Sequence, residues 1–211
     1  MAELSKSLAT KREQLLELLS GYGSCAVAFS GGVDSAVVAQ AAQLALGDRA
    51  VAVTGTSDAL AVGELEAARD LATRIGIRHI VISTDEFANP DYVANKADRC
   101  YHCKTELYSQ LGRMRERLGV DLVVNGANAD DLSDYRPGLQ AADEHAIRSP
   151  HADCSLTKQE VRQLAADWDL PVADKPATPC LSSRVAYGLN VTPERLARID
   201  QAEQFLRSLG F

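Results

Sequence analysis

Short apolar runs alternate along this chain with longer stretches in which apolar residues recur at helical spacing. The leading segment, residues 3–20, predicts an amphipathic helix, and the apolar run at residues 24–29 predicts a short buried strand. The same alternation then continues toward the middle of the chain. Further helices are predicted over residues 34–46, 59–75 and 101–118, and further strands over residues 49–54, 77–83 and 120–125.

Strands separated by helical segments predict an α/β fold. Such strands are joined by crossovers, so they form a parallel sheet, and the connecting helices cover both faces of the sheet. Later in the chain, the capping box Thr157-Lys-Gln-Glu160 begins a helix that runs to about Asp169. Thr192-Pro193-Glu194 begins another helix, with proline in its first turn.

A long, proline-containing segment, residues 170–191, separates these last two helices. A connection of this length inside a compact domain is usually functional or disordered. We therefore divide the chain into a main domain, residues 1–170, and a loop with the start of a C-terminal region, residues 171–211. The sequence stops at Leu209-Gly210-Phe211, where a helix would lead into another strand, and we expect a truncated C-terminal region.

Composition and charge narrow the class of protein. With 46% hydrophobic residues, the 211-residue chain can form a compact core. Its 22 Lys and Arg against 29 Asp and Glu give a net charge of -7, which argues against unassisted nucleic-acid binding but leaves a local basic patch open. The chain contains no signal-peptide core and no run of about 18 uncharged apolar residues. We expect a cytoplasmic protein without a membrane partner, in which the five cysteines are reduced.

Four polar or glycine-bearing stretches lie at or near the carboxyl ends of predicted strands, where open parallel sheets bind ligands. They are residues 30–35, 54–57, 99–104 and 125–131.

The first stretch, SGGVDS, has the features of an anion-binding turn. Gly31 and Gly32 allow a tight turn with inward backbone N–H groups, Ser30 and Ser35 add hydroxyls, and a helix N-terminus follows. It lacks the Lys of a Walker loop and the spacing of the dinucleotide fingerprint. The alternative is a plain glycine turn in which Asp34 begins the helix. The stretch resembles the loop of the PP-loop ATP pyrophosphatases, with an adenine nucleotide alpha hydrolase-like domain. They cleave ATP between its α and β phosphates and use the adenylyl group to activate a substrate oxygen. That resemblance implies that Asp34 helps to bind Mg²⁺.

The stretch NGANADD follows the last predicted strand. In the same superfamily a Gly-x-x-x-Asp-Asp segment at this place faces the nucleotide, which assigns nucleotide contacts to Gly126, Asp130 and Asp131. Two adjacent carboxylates also fit a divalent ion, and we assign Asp131 to it together with Asp34. Alternatively, Asn128 and Asp130 cap the next helix. We add Thr54 and Lys104 to the predicted nucleotide contacts.

The stretch RCYHCK contains a single Cys-x-x-Cys pair, which is a weak metal signal. His102 and Cys154 would complete a site for a structural metal or an Fe–S cluster. The alternative that we favour is a positively charged wall of the nucleotide site with buried cysteines.

The stretch PCLSSRVAYG places Cys180 on the long irregular segment with Arg184 four residues away. A nearby cation favours the thiolate form of a cysteine, which is the nucleophile. The alternative is an inert buried thiol.

Several motifs together resemble one family, the LarE-type ATP-dependent sacrificial sulfur transferases, which help to make the nickel-pincer cofactor of lactate racemase. The matching pieces span about three quarters of the chain in family order: SGGVDS, RCYHCK, NGANADDLSDYRPG, RSP, LTKQEVR and PCLSSRVAYG.

The resemblance implies ATP and Mg²⁺ as cofactors and a pyridinium mononucleotide as substrate. A substrate carboxylate would be adenylylated and then attacked by Cys180, with Ser183 and Arg184 beside it. Breaking the cysteine Cβ–S bond would leave a thiocarboxylate on the product and dehydroalanine on the enzyme. The resemblance also implies a homo-oligomer, a hexamer. Some members instead bind a [4Fe-4S] cluster and transfer external sulfide, and that version stays open.

Three rivals share the phosphate loop. A PP-loop tRNA thiolase would need a basic RNA-binding face, against which the net charge of -7 speaks. An amidotransferase-type synthetase for NAD or GMP would not need Cys180. A non-enzymatic nucleotide-sensing module would leave the PCLSSR segment unexplained.

Overall fold

A computed structural model describes residues 4–133 and 136–210 and contains a four-stranded sheet in this part of the chain. The strand order is β3-β2-β1-β4, and every pairing is parallel, which confirms the predicted α/β fold. In the register of the sheet, Cys25 lies between Ala50 and Leu122. The strands are β1 (Cys25–Ala28), β2 (Ala50–Thr56), β3 (Arg78–Ser83) and β4 (Leu122–Val124).

The α-helices of the described residues are α1 (Lys6–Ser20), α2 (Val33–Leu46), α3 (Glu64–Ile75), α4 (Pro90–Val93), α5 (Arg99–Leu118), α6 (Pro137–Glu144), α7 (Pro150–Asp153), α8 (Lys158–Asp167) and α9 (Pro193–Ser208). In this part of the chain, none of them is both long and apolar enough to cross a bilayer.

The capping signals in the sequence are confirmed. Thr157 and Glu160 form a reciprocal capping box at the start of α8. The Thr192 hydroxyl accepts the backbone N–H of Arg195 at the start of α9, with Pro193 in the first turn. The short helices α4, α6 and α7 were not predicted.

The prediction that a helix begins at Ala59 is wrong, because α3 begins at Glu64. Gly63 before it has a φ of +87°, a left-handed conformation that ends any helix approaching from residue 59. The backbone oxygen of Ala59 accepts the N–H of Leu181 at 3.0 Å. A tertiary contact with the distant irregular segment therefore determines the conformation before α3.

Successive residues of the central strand β1 enter two different hydrophobic layers. Cys25 and Val27 pack in the layer formed with α1, α2, α3 and α8, whereas Ala26 packs in the layer formed with α5 and α6. This is the alternation of side chains expected for a strand that is buried on both faces. The prediction of helices on both faces of the sheet is confirmed.

A third hydrophobic cluster joins the irregular segment to the main body. It consists of Ala59, Ala61, Tyr92, Leu181, Val185, Val191 and Leu196. These buried residues come from both sides of the division at residues 170 and 171. The division itself stays a prediction. The segment that contains Cys180 contributes Leu181 and Val185 to the same cluster as Ala59 and Ala61, which follow β2.

His151 is fully buried beneath the start of α2. Its Nε2 donates to the backbone oxygen of Asp34 at 3.1 Å, and its Nδ1 has no partner among the described residues. Burial lowers the pKa of His151 from 6.5 to about 4, because the apolar surroundings oppose the charged imidazolium. The neutral ring therefore supports the turn that precedes α2.

We predict that His151 makes stability depend on pH. Between pH 6.5 and about 4 the unfolded chain binds a proton at this residue and the folded chain does not, so stability is lost as the pH falls through that window. The loss is at most about 3 kcal/mol. Urea unfolding of the protein and of His151→Asn at several pH values measures it, with His145→Asn as the control. Equal slopes of unfolding free energy against pH for the protein and His151→Asn would contradict the prediction.

Candidate nucleotide and sulfur-transfer site

The first cavity lies beyond the carboxyl ends of β1 and β4, where the strand order changes direction. Ligands of open parallel sheets bind at such a point, because the connections leave it to opposite faces. The cavity has a volume of about 530 Å³. Its lining includes predicted site residues from both strand ends: Ser30, Gly32, Asp34 and Ser35 after β1, and Gly126 and Asp131 after β4.

The SGGVDS stretch forms a turn closed by its own hydroxyl groups. The Ser35 hydroxyl accepts the backbone N–H of Ser30 at 3.2 Å and donates to the oxygen of Gly32 at 3.0 Å. Gly31 has a φ of +73°, which favours glycine. Among the described residues, no side chain caps the start of α2 at Gly32. The first N–H groups of α2 and its dipole are thus directed to the cavity as an anion site.

Gly126 holds the two loops together. A Cβ atom at this position would lie 2.8 Å from the backbone carbonyl carbon of Asp34 and 2.8 Å from the nitrogen of Ser35. Only glycine allows such an approach of one backbone to another. The predicted residue Gly126 therefore lies against the phosphate-loop turn itself.

The carboxylate of Asp34 lies at the centre of a polar network. It accepts the side-chain amide of Asn128 at 3.2 Å and forms an ion pair with Lys158. Asp131 lines the same cavity, accepts the backbone N–H of Asn128 at 3.0 Å and pairs with Arg136 at 2.9 Å. Sequence reasoning missed Lys158 and Arg136, because each comes from an element that only the fold brings near.

The two carboxylates fit a magnesium site that a nucleotide completes. Carboxylate oxygens suit Mg²⁺, which usually takes one or two of them together with phosphate oxygens and water. No group of three or more His, Cys, Asp or Glu in the described ranges could hold a metal by itself. Asp34 and Asp131 could thus supply only part of a coordination sphere, and phosphate oxygens would supply more.

Asp130 and Thr54 lie outside the linings of both cavities at this edge. Asp130 accepts the first backbone N–H of α8, that of Lys158, at 2.8 Å, as a capping residue does. Thr54 is buried, and its hydroxyl donates to the backbone oxygen of Phe29 at 2.7 Å and contacts the His79 ring at 2.8 Å. Both side chains therefore have structural partners, and their nucleotide contacts stay predictions.

A second cavity of about 460 Å³ adjoins the first. Ser30, Gly32, Asp34, Cys100 and Lys104 line both. The second cavity is also lined by Cys103, Cys180 and four further cations, Arg99, Lys158, Arg162 and Lys175. The acidic chain thus has a local cationic site. The net charge of the chain had left such a basic patch open.

Lys104 lies where the two cavities meet. Its ammonium nitrogen lies 6.0 Å from the centroid of the Tyr108 ring, and no carboxylate in the described parts of the chain pairs with it. The pKa of Lys104 is raised, first by Tyr108 and then by the thiols of Cys103, Cys100 and Cys180, while burial opposes the rise. Lys104 is therefore protonated at neutral pH and faces both the phosphate loop and Cys180.

A buried hydrogen-bond hub, Asn95 with Arg99, anchors the segment that contains Cys180. The Asn95 amide donates to the backbone oxygens of Val185, Ala186 and Leu189 at 3.2, 2.9 and 3.1 Å. Its oxygen accepts Arg99, which also donates to the oxygen of Ser182 at 2.8 Å. Sequence reasoning missed Asn95. Its available signal is weak: asparagine tolerates a positive φ, and the value here is +52°.

Cys180 is exposed and begins a short 3-10 turn, Leu181–Arg184. Arg184 donates to the backbone oxygen of Pro179 at 2.5 Å and, more weakly, to that of Cys180 at 3.3 Å, and it pairs with Glu203 at 2.6 Å. The Ser183 hydroxyl donates to the Cys180 oxygen at 2.7 Å. Ser183 and Arg184 therefore shape the turn around Cys180.

The other cysteines differ in exposure. Cys25 is buried, as predicted. Cys100 is exposed, so the expectation that both cysteines of the RCYHCK stretch are buried is wrong for this residue. Cys103 is half-buried, and burial raises its pKa to about 12. The difference arises because Cys103 packs against the third hydrophobic cluster, whereas Cys100 lies on the cavity side of α5.

Comparison with known proteins identifies the domain. The asparagine synthase family model matches residues 17–180. An uncharacterised protein of Synechocystis sp. is 48% identical over 204 residues, which cover 97% of this chain and 76% of that protein.

Two relatives have named activities. The pyridinium-3,5-bisthiocarboxylic acid mononucleotide synthase of Lactiplantibacillus plantarum is 35% identical over 207 residues, covering 97% of this chain and 75% of that protein. The tRNA-specific 2-thiouridylase MnmA of Azorhizobium caulinodans is 31% identical over 187 residues, covering 71% of this chain and 48% of that protein.

The phosphate-loop geometry, the parallel sheet and the similarity across nearly the whole chain agree with one another. The chain belongs to the PP-loop superfamily and, within it, to the LarE-type family of ATP-dependent sulfur-transfer enzymes.

Proposed function

We propose that this enzyme converts a carboxylate of pyridinium-3,5-biscarboxylic acid mononucleotide into a thiocarboxylate, for the nickel-pincer cofactor of lactate racemase. The observation that carries the proposal is the arrangement of two adjoining cavities. One contains the phosphate loop, the other contains Cys180, and Lys104 lines both. The synthase of L. plantarum, named for the bisthiocarboxylic product, supports the substrate.

In the first half-reaction, the substrate carboxylate attacks the α-phosphorus of ATP and pyrophosphate leaves. The turn at Gly31 and Gly32 and the N-terminus of α2 bind the phosphates. Asp34 and Asp131 would hold Mg²⁺ together with phosphate oxygens, and the ion would supply neutralisation of charge on the leaving pyrophosphate. Lys158 and Arg136 pair with these carboxylates in the structure, and phosphate groups offer the two cations alternative partners.

In the second half-reaction, the thiolate of Cys180 attacks the activated carbonyl carbon, and AMP leaves. Lys104 is the cation that faces both the phosphate loop and this thiol, so it stabilises negative charge on either. Removal of the Cα hydrogen of residue 180 then breaks the Cβ–S bond. The product keeps the sulfur as a thiocarboxylate, and the chain keeps dehydroalanine.

The second candidate is thiolation of a tRNA base, which the similarity to MnmA favours. The net charge of -7 opposes it, because RNA binding draws on a basic surface. A gel-shift titration with tRNA at low salt separates the candidates. A shift, together with AMP release that depends on tRNA, would favour thiolation.

We predict that Gly32→Val abolishes ATP–pyrophosphate exchange and leaves the fold intact. A Cβ atom at Gly32 meets only Ser30 Oγ at 3.4 Å, an ordinary contact, but the branched side chain would project into both cavities. Exchange is measured with labelled pyrophosphate and folding by circular dichroism. Gly112→Val, in the distal half of α5, is the control. Release of ADP and phosphate by the unaltered enzyme would contradict the reaction type.

We predict that Asp34→Asn reduces adenylylation about 100-fold, the scale expected when a metal site loses an important partner. The variant keeps the size of the side chain but loses the charge that binds Mg²⁺. Single-turnover AMP formation over a Mg²⁺ titration measures the change. Asp167→Asn is the matched control. Asp167 is a half-buried carboxylate that pairs with Arg12 and lies outside the linings of both cavities. Unchanged turnover of Asp34→Asn would remove Asp34 from the site.

We predict that each chain transfers one sulfur atom and becomes lighter by the mass of one H₂S, with the loss at residue 180. Intact-mass and peptide spectra after incubation with ATP, Mg²⁺ and the pyridinium carboxylate measure this loss. Cys154→Ala is the control, because Cys154 lies outside both cavities. Product formation with unchanged mass would indicate a cluster-bound or external sulfide. Activity in Cys180→Ala would exclude the cysteine altogether.

A further inference from the structure

The Cys-x-x-Cys pair has no role in the reaction proposed above, yet it lies on the same wall as the sulfur donor. Cys100, Cys103 and Cys180 all line the second cavity. Cys100 and Cys103 belong to the first turns of α5, and Cys180 begins the 3-10 turn opposite. A reactive group that forms at one of these residues is therefore in the cavity that the other two thiols line.

Short contacts tie the Cys180 turn to α4 and to the start of α5. Arg99 donates to the backbone oxygen of Ser182 at 2.8 Å. The Tyr92 hydroxyl forms a hydrogen bond with the Ser182 hydroxyl at 2.7 Å. Both contacts are buried, so they are not weakened by water. Residue 180 is therefore held within two residues of an anchor on the helix that presents Cys103.

Cys103 is the more buried of the two thiols that share the second cavity with Cys180. Burial is the main reason that the pKa of Cys103 is raised to about 12, and charge on Glu86, Cys180 and Cys100 raises it further, while Lys104 lowers it. The observation that carries the proximity of Cys103 and Cys180 is geometric, since both line the second cavity.

We propose that Cys103 adds to the dehydroalanine at position 180 and closes a thioether bridge between the two residues. The inference rests on the proposed sulfur donation by Cys180. The Cys103 sulfur bonds to Cβ of residue 180, the carbon–carbon double bond becomes single, and the thiol hydrogen ends on Cα. The step needs no oxidant or reductant and leaves the mass of the dehydroalanine form unchanged.

We assign the transfer of the thiol proton to Glu86. It is 3% exposed, and one carboxylate oxygen accepts the Ser57 hydroxyl at 2.6 Å. The other carboxylate oxygen is buried and has no partner among the described residues. A buried carboxylate oxygen without a partner can take the Cys103 proton and return it to the carbanion formed at Cα.

The bridge would mark a spent chain. It removes an exposed electrophile that would otherwise react with cellular thiols. It also fixes the Cys180 turn against α5 across the cavity that received the substrate, so a used chain could not rebind substrate there.

Peptide mapping after one turnover tests the bridge. The enzyme is incubated with ATP, Mg²⁺ and the pyridinium carboxylate, then denatured, reduced, treated with 2-mercaptoethanol and digested with trypsin. We expect peptide 100–104 linked to peptide 163–184 in the fraction that lost H₂S, and no mercaptoethanol adduct at residue 180. In Cys103→Ser the link should be lost and the adduct should appear, whereas Cys100→Ser, the matched control, should still form the link.

An adduct at residue 180 in the unaltered enzyme, or a link to Cys100, would overturn the assignment to Cys103. Treatment of the unreacted protein with dibromobimane, a short thiol cross-linker, tests the placement independently of turnover. We expect a Cys103–Cys180 cross-link that Cys180→Ala abolishes. Its absence would overturn the bridge while leaving the sulfur donation intact. Product formation without loss of H₂S would instead overturn the sulfur donation and the bridge with it.

Discussion

The close approach of two backbones at Gly126 is the constraint on which the nucleotide site depends. The loop after β4 lies against the first turn of α2 so tightly that a single Cβ atom would lie 2.8 Å from backbone atoms of Asp34 and Ser35. This contact brings Asn128 to the carboxylate of Asp34, and Asp131 to the same cavity. Without it, the phosphate-loop turn and the acidic segment would be separate features of a sheet edge.

A second constraint places Cys180 beside the cavity of the phosphate loop. Asn95 and Arg99 provide buried donors to four backbone oxygens of the segment that follows Cys180, those of Ser182, Val185, Ala186 and Leu189. These bonds order an irregular segment that has no long helix or strand of its own. Cys180 can therefore be exposed while Leu181, Ser182 and Val185, which follow it, are buried.

The charges of this protein are unevenly distributed, so its net charge does not describe the charge around the second cavity. The chain has a net charge of -7, yet five Lys and Arg side chains line the second cavity against two acidic ones. Most of these cations pair with an acid or a backbone oxygen, and Lys104 contacts an aromatic ring instead. A focused cationic cavity in an acidic protein suits a small anionic ligand and disfavours a long polyanion.

The sequence by itself determined the parallel α/β fold, the phosphate-loop turn and the position of Cys180 in an irregular segment. Each of these is recorded locally, in apolar periodicity, in the glycines of SGGVDS and in a cysteine within an irregular stretch. It did not determine the start of α3, before which Gly63 has a left-handed φ and Ala59 accepts a hydrogen bond from Leu181. Nor did it determine the roles of Asn95, Lys158 and Glu86, or the structural contacts of Thr54 and Asp130. Those depend on which distant backbone or side-chain atoms share a buried polar environment, and only packing of the whole chain decides that.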